Sequence, residues 1–328
     1  MDRIAFIYEE TFVYWSAILQ ALGVVTALCL FVGLHLWKSG NVVGTALAVP
    51  LCLVSGLTLS RLVHWYCLPD GYESLRAALV LHSPGGYALM GAFAGCALTA
   101  CLLRLLGAVK NLPRMLDCMV LAGAGGIAVG RLSSLFNASG RGMVLQGLTS
   151  LPLAYPVRSE VTGQEEYRLA VFMLQAMVAA ALLGGLAVYM LLRGKKYRDG
   201  DVCLLFFLFY GASQAVLDSI RYDSLFFQSN GFVSIVQILG AVSVAVVTVI
   251  FSVRALRATG WRWYYPVCWT VFAAGLGGAG YMEYYVQRHG DRAPLAYSVM
   301  TACLVGAVLA GLLPRWLSGK RKKEDGHV

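Results

Sequence analysis

Nine runs of predominantly apolar residues occupy most of this chain, and each is close to the ~20 residues that an α-helix needs to cross a bilayer. Backbone N–H and C=O groups within lipid must be satisfied inside the segment, so long unbroken runs predict helices and not strands. The sequence therefore predicts an all-α polytopic integral membrane protein. Its predicted spans are 12–36, 42–66, 85–107, 115–136, 168–192, 202–221, 231–253, 263–281 and 294–314.

The composition supports this class. Of the 328 residues, 59% are hydrophobic and 13% are charged, whereas soluble domains carry about 25% charged residues. So little charge cannot cover a water-soluble globule, which excludes a secreted soluble protein, a disordered chain and a DNA-binding domain. The formal net charge of +9 comes from basic residues scattered between apolar runs, so we expect no nucleic-acid partner. The nine cysteines form no C-x-x-C pair, and we expect neither a metal nor another cofactor.

Basic residues in the short loops predict the orientation, because cytoplasmic loops carry an excess of Lys and Arg. With the N-terminus outside, the cytoplasmic segments hold 16 of the 26 basic residues and 5 of the 17 acidic ones, a net charge of +11. The rest of the chain then carries a net charge of −2. The sequence therefore predicts an outside N-terminus and a cytoplasmic C-terminus.

Polar residues that lipid tolerates poorly lie at the predicted outer ends of four spans. In span six, one stripe of the helix carries Tyr210, Gln214, Asp218 and Arg221. Span two carries Arg61 and His64, and span four carries Arg131. His82 lies just before span three, which opens with Gly85 and Gly86. One interpretation is that the arginines extend to the interface, with Asp218 pairing to Arg221. The other is that they converge on an anionic phosphate, most simply a phospholipid headgroup. His64 or His82 could then transfer a proton.

Pairs of glycines four residues apart predict close helix contacts. They are Gly91 and Gly95 in span three and Gly126 and Gly130 in span four. The glycines of span eight indicate the same kind of packing.

Three segments carry a resemblance to a known family, the bacterial prolipoprotein diacylglyceryl transferases. Span six with its exit, LFYGASQAVLDSIRYDSLFF followed by IVQILG, resembles the family's Y-x-x-x-R-x-x-x-E-x-x-R-x-D-S-L stretch and the Q-x-x-S opening of its last helix. The end of span four, GRLSSLFNASGRG, is similar to the signature G-R-x-G-N-F-x-N-x-E-x-x-G. PGGYALMGAF in span three is similar to H-G-G-L-I-G-G. The resemblance runs in order from the first span to the end of the seventh.

Some positions of these motifs match the family pattern, and others depart from it. Matching residues are Gly130, Arg131, Asn137 and Gly142 in the signature, Arg221, Asp223, Ser224 and Leu225 after span six, and Gln237 in the last-helix opening. Departures are Ser134 and Ser139 in place of Asn and Glu, Gln214 and Asp218 in place of Arg and Glu, Gly240 in place of Ser, and Pro84 in place of His. His82 lies two residues upstream of the position of that histidine. The family segment that opens span five has no clear counterpart in YRLAVFM.

The resemblance implies transfer of a diacylglyceryl group from phosphatidylglycerol to the thiol of a lipobox cysteine in a prolipoprotein, at the outer face of a bacterial plasma membrane. It implies phosphate binding by Arg131 and Arg221, with Asp218 orienting Arg221 and either His82 or His64 assisting proton transfer. Gly85 and Gly86 would admit the headgroup, and we add Asn137 and Arg61 to the expected phospholipid-binding set.

The domain organisation follows from the extent of the resemblance. Residues 1–255 are predicted to form a transferase-like seven-helix membrane domain, 256–315 two additional transmembrane helices, and 316–328 a basic cytoplasmic tail. The departures leave a second hypothesis open, a non-catalytic phospholipid-binding relative that acts as an accessory membrane protein. A transporter would show inverted repeats and broken helices at the bilayer midplane, and the sequence shows neither.

Overall fold

The structure, a computed structural model, describes residues 4–8, 11–80, 85–145, 153–158, 163–194, 197–227, 230–289 and 292–324. A long helix lies in each of the nine predicted spans, and one short helix, α3, is additional. The helices are α1 Trp15–Ser39, α2 Val42–Cys67, α3 Leu75–Leu79, α4 Leu89–Leu105, α5 Leu112–Gly130, α6 Val171–Arg193, α7 Asp201–Ile220, α8 Ile235–Thr259, α9 Tyr264–Arg288 and α10 Ala293–Glu324. Two 3₁₀ helices, Pro69–Gly71 and Arg131–Leu135, follow α2 and α5.

The apolar character of these helices confirms the predicted fold class. The described residues hold seven helices that are long and apolar enough to cross a membrane, and α4 is a shorter apolar helix of 17 residues. The protein is thus an all-α multi-pass membrane protein. The count of nine spans and the outside N-terminus stay predictions.

Short strands occur between the helices, and the hydropathy pattern does not predict them. Strand β1 Ile4–Tyr8 pairs antiparallel with β2 Thr11–Tyr14, and β3 Ala154–Arg158 pairs antiparallel with β4 Glu165–Leu169. Strand β5 is Phe226–Phe227, and β6 is Asn230–Ser234. Because Ser234 caps α8, that helix begins four residues later than the predicted span.

The chain divides into two compact units. The first comprises 1–203 and 220–229 and contains α1–α6. Within it α2 packs on α4, and α5 packs on both α1 and α6. One apolar cluster within it includes Phe31 of α1, Ala48 of α2, Leu103 of α4 and Met115 of α5.

Glycines let α2 and α4 approach each other until their backbones touch. A Cβ atom at Gly91 would lie 2.3 Å from the Leu59 carbonyl oxygen, and one at Gly95 would lie 2.5 Å from the Ser55 carbonyl oxygen. At Gly126 a Cβ atom would lie 2.8 Å from the Ala27 side chain. The predicted close contacts at these three glycines are confirmed.

The second unit comprises 204–219 and 230–328 and contains α8, α9, α10 and most of α7. Within it α10 packs on α8 and α9. Helices α7 and α8 meet at a pair of glycines, since a Cβ atom at Gly240 would lie 2.7 Å from the Gly211 carbonyl oxygen. This contact gives a physical reason for glycine at a position where the resemblance leads one to expect serine.

We predict that Gly91→Ala destabilises the protein, while Gly184→Ala does not. The new methyl group at 91 has to displace backbone of α2, and overpacking of this kind costs about 1–3 kcal/mol. Gly184 lies in α6 with no atom within 4 Å of its Cβ position, and alanine is the better helix former there by up to about 1 kcal/mol. Thermal melting in detergent measures both variants. Equal melting temperatures would contradict the assigned α2–α4 contact.

Candidate functional site

The segment that follows α5 carries the signature and folds into a compact turn. Arg131 begins the 3₁₀ helix and is half-buried. Asn137 is also half-buried, and its side-chain oxygen accepts the backbone N–H of Ser139 at 3.0 Å. This side-chain-to-backbone bond is typical of Asn in tight turns. The two matching residues therefore lie in one short, internally bonded segment.

Two of the signature positions that depart from the family pattern, Ser134 and Ser139, bond to each other. The hydroxyl oxygens of Ser134 and Ser139 lie 3.0 Å apart, and the Ser139 hydroxyl donates to the Asn137 side-chain oxygen at 2.5 Å. Ser134 is buried, so its hydroxyl needs a partner inside the protein. The substitutions thus form a local hydroxyl pair that keeps the turn closed.

Arg141 is a buried cation that forms hydrogen bonds with the backbone of this turn. It is 1% exposed, and its Nη2 donates to the Ser134 carbonyl oxygen at 2.6 Å and to the Asn137 carbonyl oxygen at 3.0 Å. Its guanidinium lies 4.1 Å from the ring centre of Tyr155 and 4.5 Å from that of Phe172. Stacking on aromatic faces stabilises a desolvated cation. Burial nevertheless lowers the pKa of Arg141.

Sequence reasoning missed Arg141 because it occupies a variable position of the signature. Its Nε and Nη1 have no hydrogen-bond partner among the described residues, so the aromatic rings are its main compensation on that side. The two rings come from β3 and α6, which lie 14 and 31 residues further along the chain. A local sequence pattern therefore cannot predict that these two rings contact Arg141.

Asp223 joins the segment after α7 to the signature turn. Its Oδ1 accepts from Arg221 Nε at 3.0 Å, and its Oδ2 accepts the backbone N–H of Gly140 at 2.9 Å. The neighbouring residue adds two more bonds, because the Tyr222 N–H donates to the Arg141 carbonyl oxygen and its hydroxyl donates to the Ala138 carbonyl oxygen. The structure therefore brings together the two segments that best match the family, and with them Asn137 and Arg221.

The pKa of Asp223 reflects this position. Burial on its own raises the pKa of the carboxyl group, but the charge of Arg221 and the hydrogen bonds from Arg221 and Gly140 outweigh it. The net pKa lies below the ordinary value of Asp. Asp223 is consequently ionised at neutral pH and fixes the direction in which the Arg221 guanidinium points.

Arg61 holds the segment that leads into α4. It is 1% exposed and donates to the carbonyl oxygens of Ala78 at 3.0 Å, Val80 at 3.1 Å and Gly86 at 3.4 Å. Its guanidinium also lies 5.1 Å from the ring centre of Tyr72. Backbone carbonyl oxygens therefore explain an arginine at the predicted outer end of α2, and the structure brings it together with Gly86.

Gly85 and Gly86 lie tightly against two polar side chains. A Cβ atom at Gly85 would lie 2.4 Å from the Tyr72 ring, and one at Gly86 would lie 2.3 Å from His64 Nε2. Gly85 also has a φ of 130°, which favours glycine. The Tyr72 hydroxyl oxygen lies 2.8 Å from His64 Nδ1 and 3.2 Å from the Gly86 carbonyl oxygen. His64 is thus fixed by a hydrogen bond, while His82 lies outside the described residues.

Asp218 belongs to the second unit, where it is buried on the predicted stripe of α7 together with Tyr210 and Gln214. Its carboxylate accepts a hydrogen bond from the Ser234 hydroxyl. Ser234 caps α8 and forms a reciprocal capping box with Gln237, the matching residue of the last-helix opening. The expected pairing of Asp218 with Arg221 stays a prediction.

We predict that Arg141→Gln lowers the free energy of unfolding by about 1–3 kcal/mol, because two backbone carbonyl oxygens lose a charged donor. The matched control is Arg168→Gln. Arg168 is half-buried and forms an ion pair with Glu166 at 3.1 Å, and pairs of that kind contribute at most about 1 kcal/mol. Thermal melting in detergent separates the two variants. An Arg141→Gln protein as stable as the control would contradict the role assigned to this cation.

Comparison with known proteins identifies the family. The family model of prolipoprotein diacylglyceryl transferase matches residues 3–253. A protein of Finegoldia magna named phosphatidylglycerol–prolipoprotein diacylglyceryl transferase is 25% identical over 232 residues, which cover 69% of this chain and 86% of that protein. A protein of the same name from Bacillus licheniformis is 23% identical over 268 residues, which cover 78% of this chain and 94% of that protein.

The matched region contains both segments that Asp223 joins, and it ends inside α8. Helices α9 and α10 lie beyond it. The resemblance found in the sequence is thereby confirmed. Because the family model matches well over half of the chain, this protein belongs to the prolipoprotein diacylglyceryl transferase family.

Proposed function

We propose that this protein transfers the diacylglyceryl group of phosphatidylglycerol to the cysteine thiol of a lipobox in a prolipoprotein. The reaction would take place at the outer face of a bacterial plasma membrane. The two relatives described above carry phosphatidylglycerol and prolipoprotein in their names, and the family match supports the same reaction class here.

One observation carries the proposal. The Asp223 carboxylate ties Arg221 to the turn that contains Arg131 and Asn137, so the two most family-like segments form one structure. Guanidinium groups offer several donors in a fixed geometry and suit a phosphate ester. A phosphate held there would have its position set by residues that Asp223 and Arg141 already fix.

The proposed step is a nucleophilic substitution. The thiolate of the acceptor cysteine attacks the glyceryl carbon that bears the phosphate ester, and a C–S thioether bond forms while the C–O bond breaks. The electron pair of the broken bond leaves with glycerol phosphate, and the thiol proton passes to a base on the enzyme. The protein has to stabilise charge on the departing phosphate and to exclude water from the thiolate.

The roles of the individual residues are part of the proposal. Arg131 and Arg221 hold the phosphate, Asn137 contributes a further polar contact, and Gly85 with Gly86 lines the approach of the headgroup. Asp218 and His82 are assigned to the reacting end of the site, where His82 accepts the thiol proton. Arg61 supports the site by holding the Gly86 carbonyl oxygen, a bond of 3.4 Å.

We predict that Arg131→Ala and Arg221→Ala each lower kcat/KM for diacylglyceryl transfer by at least about 100-fold, since each removes a charged donor from the leaving phosphate. Purified protein, phosphatidylglycerol in mixed micelles and a lipobox peptide are sufficient, and mass spectrometry detects the thioether product. Arg76→Ala is the matched control, because Arg76 is an exposed arginine on α3 outside the three segments that resemble the family motifs.

Two results would contradict the proposal. In the first, the arginine variants transfer as well as the Arg76→Ala control. In the second, wild-type protein binds phosphatidylglycerol without transferring it, which would favour the accessory lipid-binding protein instead. Growth of a cell depleted of its own transferase, when supplied with this protein, tests the same question in the membrane. Detergent melting of each variant confirms that a loss of activity is not a loss of folding.

A further inference from the structure

Helix α9 carries a buried carboxylate in the second unit. Glu283 is 7% exposed and lies five residues before the end of α9. That helix lies beyond the family match, which ends at residue 253. Because a buried charge is costly, an ionisable residue inside a membrane protein suggests a function.

Three side chains donate to this carboxylate. The Ser219 hydroxyl donates to Oε2 at 2.5 Å, and Gln237 Nε2 donates to the same oxygen at 2.9 Å. Gln287 Nε2 donates to Oε1 at 3.3 Å. Ser219 lies at the end of α7, and Gln237 lies in the first turn of α8. Glu283 therefore connects an additional helix to two helices of the family region.

Gln237 passes this connection on to Asp218. With its Nε2 held by Glu283, the Oε1 of Gln237 accepts the Ser234 N–H at 2.9 Å. The Ser234 hydroxyl oxygen accepts the Gln237 N–H at 3.1 Å, so its one proton is available to Asp218, to which it donates. A continuous chain of hydrogen bonds thus runs from Glu283 through Gln237 and Ser234 to Asp218. Asp218 is also the chain neighbour of Ser219, which bonds to Glu283 directly.

A simple attachment of α9 to α8 does not require a charge. Further along the same two helices, Trp269 Nε1 donates to the Ser252 hydroxyl at 3.1 Å, and both groups are neutral. That contact lies 15 residues along α8 from Gln237, or about 22 Å at 1.5 Å per residue. Of these two contacts between α8 and α9, the charged one is the one that connects to Asp218, and this favours a role in the site.

We propose that Glu283 is a positioning residue of the transferase site that fixes Asp218 through Gln237 and Ser234. The inference rests on the proposed function, because it assigns Asp218 to the reacting end of the site. The NH₂ group of Gln237 donates to the Glu283 carboxylate at 2.9 Å and to the Ala215 carbonyl oxygen at 3.3 Å, and Glu283 is the charged one of these two acceptors. The Gln237 oxygen is thereby left to face Ser234. The capping serine then has a single orientation in which its proton points at Asp218. The additional helix therefore contributes to catalysis without touching the substrate.

The test compares Glu283→Gln with Ser252→Ala. Glu283→Gln keeps the shape of the side chain but removes its charge. The NH₂ group of the new glutamine can then face the NH₂ group of Gln237 and push it out of position. Ser252→Ala removes the neutral α8–α9 bond and leaves the Asp218 network intact. We expect Glu283→Gln to lower kcat about tenfold, the effect of losing one charge-assisted hydrogen bond. KM for phosphatidylglycerol and both parameters of Ser252→Ala should stay within about twofold of wild type.

A double variant tests whether Glu283 acts through Asp218. Adding Glu283→Gln to Asp218→Asn should lower kcat no further than Asp218→Asn does alone, because residues that act as one unit have non-additive effects. The inference would be overturned if the losses of kcat in the two single variants multiplied in the double variant. It would also be overturned if Glu283→Gln and Ser252→Ala had equal kcat and KM values. Should Glu283→Gln fail to fold by detergent melting, Glu283→Asp serves in its place. It keeps the charge, and a partial loss of kcat at unchanged KM is expected.

The same experiment separates this inference from the proposed function. Wild-type protein that transfers no diacylglyceryl group overturns both. Wild-type protein that transfers the group, together with a Glu283→Gln variant that is indistinguishable from Ser252→Ala, overturns the positioning role alone.

Discussion

The carboxylate of Asp223 is the interaction on which the candidate site depends. Its two oxygens accept from a side chain in its own segment and from the backbone of a turn 83 residues earlier in the chain. A carboxylate can serve both partners because each of its oxygens accepts independently. The cost of burying the charge is offset by a guanidinium and a peptide N–H, and the lowered pKa of Asp223 records that balance. Together with the two hydrogen bonds that Tyr222 donates, this bridge joins the arginine after α7 to the turn after α5.

The departures from the family pattern are easier to understand beside their neighbours. Ser134 and Ser139 stand where the family has an amide and a carboxylate, and they satisfy each other at 3.0 Å. Gly240 stands where the family has a serine, and the backbone of α7 at Gly211 leaves no space for a side chain. Each change is therefore matched by a second feature nearby. Such pairs keep buried polar groups satisfied and helices in contact.

How much of this could be predicted from the sequence follows from the range of each interaction. Apolar run length predicts the helices, because the need to satisfy backbone groups in lipid is local to each segment. Glycine spacing predicts the contact at Gly91 for a similar reason, since one face of one helix carries it. Arg141 and Glu283 were missed, because their partners are brought to them by other elements of the fold. The family resemblance could locate Asp223 but not the backbone N–H of Gly140 that it accepts.

The arginines at the predicted outer ends of the helices illustrate the same limit and what it means for the chemistry. Charge counting left them unexplained, since they lie on the predicted outer side, which the orientation rule disfavours for basic residues. In the structure, Arg61 is held by three carbonyl oxygens and Arg221 by Asp223. Arg141, which charge counting did not single out, is held by two carbonyl oxygens and two rings. Their geometry is thus set by the protein itself before any lipid binds. Donors fixed in advance need no reorganisation when charge develops on a leaving group, and such fixed donors are usually the largest contribution to catalysis of this type. A site built from mobile, water-exposed arginines would bind phosphate but would give up that advantage.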